Sequence, residues 1–268
     1  MSAESPGPRR ENLDGEREAK PKLDISFYVT DHSADSAETG DRESLQALYK
    51  DIRRDDIRSI RYDWRWNAVE PNEGTFEEPV LSRYATAAEV MHEVGLEEPT
   101  IILSSIPDWA LELYKTNKES FFAEYQTYVE RVRASLETVA AKTGQKIERV
   151  QVLNELNNAV YTPIAAEDIS RLCDITRNTF QSYNPDIKLL GTLFAGNLPG
   201  IIEKTLAGTV KLGIDVNEYL AAQKEVIEKF DVIAIDYYPG TWHLPLAEAR
   251  RNGKELFKQL GLLKQVME

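Results

Sequence analysis

One cysteine, three histidines and no long apolar run set the first limits on this chain of 268 residues. A single thiol, Cys173, cannot close an internal disulfide. It falls in the series Ile169, Leu172, Cys173, Thr176, Phe180, the spacing of a buried helix face, so packing is its expected role. His32, His92 and His243 form no HxH or HExxH pair, and there is no P-loop, so neither a metal nor another cofactor is expected. Asp31-His32, at the end of the first apolar run, is a faint hint of a ligand pair that a solvated loop explains better. Nowhere do the roughly 18 consecutive apolar residues of a membrane span occur, so no membrane partner is expected. Positive charge is scarce as well: 32 Lys and Arg against 45 Asp and Glu give a net charge of −13. A phosphate backbone needs clustered Lys and Arg, which excludes nucleic acid as an expected partner.

What is present is ordinary for a globular protein, with 42% hydrophobic and 29% charged residues, in a length that suits one large α/β domain. Residues 1–22 carry charges with no apolar stretch behind them. They read as a disordered charged tail and not as a secretory signal, and a cytoplasmic location is the expectation that follows. Oligomeric state leaves no mark in the sequence.

From residue 23 onward, apolar runs of strand character alternate with amphipathic helical stretches, the pattern of a parallel sheet with crossover helices. The expected strands are LDISFYVTD at 23–31, SIRYDWRW at 59–66, PTIILSSIPDWA at 99–110, the run that ends in LNELN, IKLLGTLFAG at 187–196 and DVIAIDYYPG at 231–240. Helices are expected over about 43–56, 80–95, 120–143, 166–183 and 217–229, the third stopping at Gly144, with GKELFKQLGLLKQVME as a closing helix. That makes six β/α units, where a closed barrel has eight. Two architectures accommodate six: part of a (β/α)8-barrel, or an open doubly wound sheet. The second calls for a Gly-rich phosphate loop after the first strand, and VTDHSADSAETG has a single glycine. The expected fold is therefore α/β, of TIM (β/α)8-barrel type over residues 23–268, C-terminally incomplete.

In IERVQVLNELNN, residues 147–158, an apolar strand stops abruptly on Asn154-Glu155. The C-terminal ends of barrel strands carry the chemistry, so a Glu delivered there beside an amide reads as a proton donor. The plain alternative is that Glu155 caps a helix start.

Four segments in order carry a family resemblance. RYDWRWNAVEPNEGTF at 61–76 resembles the second-strand signature of the clan A glycoside hydrolases, an Arg followed by a Trp and a Val-Glu-Pro-x-x-Gly turn. SSIPDWA at 104–110 is similar to their third-strand Pro-x-Trp segment, LNELN at 153–157 to their fourth-strand Asn-Glu, and IDYYPGTW at 235–242 to their sixth-strand Tyr-Pro segment.

The resemblance implies a retaining glycosidase acting on a β-glycosidic bond of a carbohydrate substrate, through two carboxyl groups that flank the scissile bond. Glu155 would be the acid/base and Asn154 would hydrogen-bond the sugar 2-hydroxyl. Arg61 would support the nucleophile, although a buried guanidinium paired with some barrel carboxylate explains it too. Tyr238 fills the position whose phenol bonds the nucleophile in relatives, with simple packing as its alternative. Asp236 stands where many relatives have His, a departure that touches the hydrogen-bond network around it. Trp64, Trp66, Trp109 and Trp242 fall at or just past expected strand ends, where aromatic faces suit the apolar faces of sugars, and packing is the rival role for each. Trp66 and Trp242 are the first choices among them, and Tyr237 joins Asp236 and the tryptophans as a candidate substrate contact.

The second carboxylate has no candidate in these segments. Glu248, Glu255 and Glu268 belong to helical or loop stretches, and the resemblance puts the nucleophile at the end of a seventh strand, beyond residue 268. The 268 residues by themselves are thus expected to be inactive. A non-catalytic carbohydrate-binding or scaffolding barrel is the rival reading.

Overall fold

The computed structural model describes residues 29–35, 40–55, 57, 59–96, 99–158, 161–194 and 223–236. The expected tail at 1–22, the loop at 197–216, the C-terminal helix, and Tyr237, Tyr238 and Trp242 lie outside these residues. Six parallel strands, β1 (Val29–Asp31), β2 (Ile60–Arg65), β3 (Thr100–Ser104), β4 (Arg149–Val152), β5 (Lys188–Phe194) and β6 (Val232–Asp236), form one sheet in the order β1-β2-β3-β4-β5-β6. A doubly wound sheet reverses its strand order at a switch point, and this one does not. Sequential parallel order with helices between the strands is the (β/α)-barrel pattern, here with six units described.

The helices are α1 (Arg42–Arg54), α2 (Trp66–Val69), α3 (Glu78–Glu93), α4 (Asp108–Thr116), α5 (Lys118–Thr143), α6 (Ala166–Gln181) and α7 (Lys224–Ile227). Local chemistry fixes their ends. Asp41 accepts the amide protons of Glu43 and Ser44 at 3.0 Å each, capping α1. Asn117 caps α5 by accepting from Ser120 N, and α5 stops at Gly144, whose left-handed φ of 72° a side chain would resist. The expected strand over 99–110 is shorter than its apolar run: it stops at Ser104, where Ser105 turns into the left-handed region at φ 57°, and α4 opens at Asp108 after Pro107.

Period-two alternation divides each strand between two environments. Tyr62 and Trp64 of β2, Ile101 and Leu103 of β3, Val150 and Val152 of β4 and Leu189 and Leu193 of β5 belong to the main apolar core, shared with Tyr84, Met91, Tyr125, Tyr128, Leu172 and Phe180 of the helices. The alternate residues, Arg61, Asp63, Arg65, Ile102, Ser104, Gln151, Thr192 and Asp236, form the other face, which is mostly polar. Cys173 is buried on α6 with Ile169, Leu172, Thr176 and Phe180, as its spacing predicts, and burial pushes its thiol up to about 12. No helix among the described residues is long and apolar enough to cross a membrane.

Candidate active site

Glu155 follows β4 by three residues and is buried, 2% exposed. It does not cap a helix: its carbonyl accepts from Asn158 N at 2.7 Å in a turn, and the next helix begins at Ala166. Ser105, Leu153 and Glu155 have φ of 57°, 58° and 49°, the left-handed region that non-glycine residues seldom occupy. Such strain, at the ends of two neighbouring strands, persists only where surrounding contacts impose it.

Those contacts centre on Thr192 of β5. Its hydroxyl accepts from Glu155 N at 2.9 Å and from Gln151 Nε2 at 3.0 Å, and donates to Asn154 Oδ1 at 3.2 Å. One donated and two accepted bonds are the full capacity of a hydroxyl. Gln151 Nε2 also donates to Leu153 O at 2.7 Å and to Asn154 Oδ1 at 3.1 Å. With its oxygen taken by both partners, Asn154 has its amide nitrogen left to turn elsewhere, and the side chain lines the cleft described below. The Glu155 carboxylate accepts from Asn158 Nδ2 at 2.8 Å.

Gln151 connects this group to a buried ion pair. Its Oε1 accepts from Arg61 Nη1 at 3.1 Å, and the same Nη1 lies 2.8 Å from Asp236 Oδ1, with the two side chains 8% and 9% exposed. Arg61 Nε and Asp236 Oδ2 are buried without a hydrogen-bond partner among the described residues. Arg61 thus has, in Asp236, the barrel carboxylate that a buried guanidinium demands.

Beside these groups, over the C-terminal ends of β1 to β4, opens a cleft of about 460 Å³. Arg61 and Asn154 reach it, while Glu155 is not among its lining side chains and sits on the β5 side of Asn154. His32, Asp35, Asp63, Arg65, Ser104 and Tyr161 are among the other residues that line it. His32 Nδ1 is 3.1 Å from Asp63 Oδ2 and 3.6 Å from Asp35 Oδ2, and hydrogen bonds to Asp35 and then Asp63 push its pKa up from 6.5 to about 10. Burial pushes the Asp35 carboxyl up, but bonds from His32 and Tyr84 and the Arg65 charge outweigh it and hold Asp35 below its ordinary value. Ser104 Oγ donates to Asp63 Oδ1. No group of three or more His, Cys, Asp and Glu among the described residues is arranged to hold a metal ion.

Three of the four candidate tryptophans, Trp64, Trp66 and Trp109, lie within the described residues, and their placement corrects the expectation. Trp64 is fully buried against Tyr62 and Tyr84, because alternation turns it to the helix layer. Trp66 is equally buried, stacked on Tyr128 and donating through Nε1 to Glu70 Oε2 at 2.9 Å. Neither has a face for a sugar. Trp109 is half-buried edge-on to Trp66, donates to the Glu70 carbonyl at 3.1 Å and does not line the cleft. The cleft's aromatic is instead Tyr161, which the sequence reading passed over.

No protein-family model matches this chain, and no curated protein does. Solved structures similar to it include glycoside hydrolases. An exo-β-1,4-mannosidase from Opitutaceae bacterium strain TAV5 matches 62% of this chain and 31% of its own at 15% identity, with a TM-score of 0.49. A family 39 glycoside hydrolase from the gut symbiont Bacteroides cellulosilyticus WH2 matches 80% and 38% at 21% identity, TM-score 0.47. A β-glycosidase from Pyrococcus horikoshii matches 62% and 46% at 14% identity, TM-score 0.43. The chain therefore spans less than half the length of each of these proteins.

Proposed function

We propose that this chain forms the larger part of a retaining glycoside hydrolase barrel, with Glu155 as its acid/base. The observation that carries the reading is the Asn154-Glu155 pair just past the C-terminal end of β4, with Glu155 buried and in left-handed backbone, Asn154 half-buried at the cleft, and both fixed through the saturated Thr192 hydroxyl. A proton donor has to hold its proton near neutral pH, and withdrawal from water is the general means by which a carboxyl does so. Asn154 presents an amide donor to a sugar hydroxyl. Arg61, tied to Asp236, supplies positive charge to support an attacking carboxylate, and the family resemblance gives Tyr238 the role of hydrogen-bonding that carboxylate. The family resemblance puts the attacking carboxylate on a seventh strand after residue 268, so that a close pair of carboxyls would work by double displacement.

The test is hydrolysis of aryl β-glycosides by the chain carried through that strand. Glu155→Gln keeps the shape and removes the proton donor, and should lower turnover by about 10²–10⁴-fold. Undiminished turnover in this variant overturns the assignment, and sugar binding without any turnover transfers the chain to the carbohydrate-binding reading.

A further inference from the structure

The helix that follows the Asn154-Glu155 segment starts without a cap of its own. Ala165, the N-cap residue of α6, has no side-chain oxygen to accept an amide proton of the first turn. Asp168, the third residue of the helix, is a methylene shorter than the Glu or Gln that reaches back to the N-cap N–H in a capping box. A hydroxyl from another helix bridges the gap. Tyr114, on α4, accepts from Ala165 N at 2.9 Å and donates to Asp168 Oδ2 at 2.6 Å. Lys118, at the start of α5, donates to the same carboxylate oxygen. Burial and the Asp168 carboxylate push the Tyr114 phenol above its ordinary value, so it keeps the proton that it donates.

Tyr114 is itself anchored. Its ring packs edge-on against Phe121 of α5, centroids 5.1 Å apart, and Phe121 is fully buried beside Trp66. One turn back on α4, Leu111 lines the cleft. From the hydroxyl, the contacts run in the other direction to the segment after β4. Only Pro163 and Ile164 separate Ala165 from Thr162, and with a proline φ fixed and Ile164 buried this link is stiff. Thr162 Oγ1 donates to Asn154 O at 2.8 Å, and Thr162 N to Asn158 O at 2.9 Å. Asn158 in turn donates through its backbone N to Glu155 O and through Nδ2 to the Glu155 carboxylate.

We infer that Tyr114 is a positioning residue of the site: its hydroxyl locks the segment bearing Asn154 and Glu155 to α4, and so sets where Asn154 stands relative to Leu111 at the cleft. The importance of that segment rests on the proposed function, whereas the lock does not require catalysis.

The experiment is amide hydrogen exchange by NMR on Tyr114→Phe, which keeps the ring on Phe121 and removes the hydroxyl, and on the same variant carrying Ala165→Ser. The added Ser gives α6 an N-cap side chain without renewing the tie to α4. Exchange is read at Asn158 and Thr162 as a ratio to Leu103 and Val150 of the core strands, which removes any change in global stability. One net hydrogen bond corresponds to about a 2- to 10-fold change in a local opening equilibrium, so Tyr114→Phe should raise this ratio by about that factor and displace the side-chain amide resonance of Asn154. Both effects should persist in the double variant. A wild-type ratio and an unmoved Asn154 resonance in Tyr114→Phe overturn the inference, and recovery of both by Ala165→Ser overturns it too, because Tyr114 would then do no more than cap a helix. If the expected pattern appears while Glu155→Gln hydrolyses glycosides undiminished, the lock stands and the acid/base assignment alone fails.

Discussion

Replacing Thr192 by Val isolates the part of the site that depends on a single hydroxyl. The substitution preserves shape and removes three hydrogen bonds, those with Glu155 N, Gln151 Nε2 and Asn154 Oδ1. Gln151 keeps Leu153 O and Asn154 as acceptors, so its loss is small. Glu155 N–H has no such reserve in its left-handed conformation, and an orphaned buried donor costs about 1–3 kcal/mol. Adding about 1 kcal/mol for the lost bond to Asn154 brings the expected destabilisation to about 2–4 kcal/mol. At about 2–4 °C per kcal/mol for a domain of this size, the melting temperature should fall by about 4–16 °C. Thermal unfolding followed by circular dichroism reads this directly, and Thr192→Ser, which keeps the hydroxyl, should fall clearly less. A Val variant within about 0.5 kcal/mol of wild type, or no more affected than Ser, would refute the claim that Thr192 holds Glu155 in place.

Arg61→Leu and Asp236→Leu each strand a buried charge and should cost about 3–5 kcal/mol, whereas the double variant should cost less than the two summed; additive denaturant midpoints would show that the pair is not coupled. His32 is bound more tightly as the cation, so its stabilising contribution is complete below its ordinary pKa of 6.5 and is lost as pH rises through about 10. Its exposure keeps the amplitude small, and the measure is the wild-type minus His32→Gln melting temperature from pH 6 to 11, which should shrink towards the alkaline end. At Gly191 an added Cβ would come within 3.0 Å of Leu156 Cδ1 and 3.1 Å of two Phe230 ring atoms. Gly191→Ala should therefore destabilise by about 1–3 kcal/mol, and a neutral effect on the melting temperature would mean that Leu156 or Phe230 yields freely.

Much of the fold could be read from the order of apolar runs and helix stops, since a parallel strand buried on one face by helices leaves a strong local signal. Gly144 and the α6 face around Cys173 are cases in point. The strand-end carboxylate was legible for the same reason: Asn154-Glu155 interrupts an apolar run abruptly. Trp64 is the tryptophan that alternation could have placed. In Arg61-Tyr62-Asp63-Trp64-Arg65 the charged residues share one face and the aromatics the other, so the period of two already placed Trp64 in the helix layer. Gln151, Thr192 and Tyr161 were hidden for a different reason. Their roles depend on contacts between separate strands and loops, and no spacing along the chain encodes which hydroxyl will meet which amide. His32 was dismissed as a loop residue because Asp63, its partner, comes from the next strand.

The sequential strand order bears on how the molecule is made. Among the described residues each strand pairs with those before and after it in the chain, as Thr30 does with Arg61 and Val150 with Leu189. A chain leaving the ribosome can therefore add these β/α units one at a time to a growing sheet, with loop-closure costs between the described strands met in modest steps. Glu155 would find Thr192 only when the fifth strand arrives, so the lock on the site would be among the later events of synthesis, set after the cleft walls of the first four strands are in place.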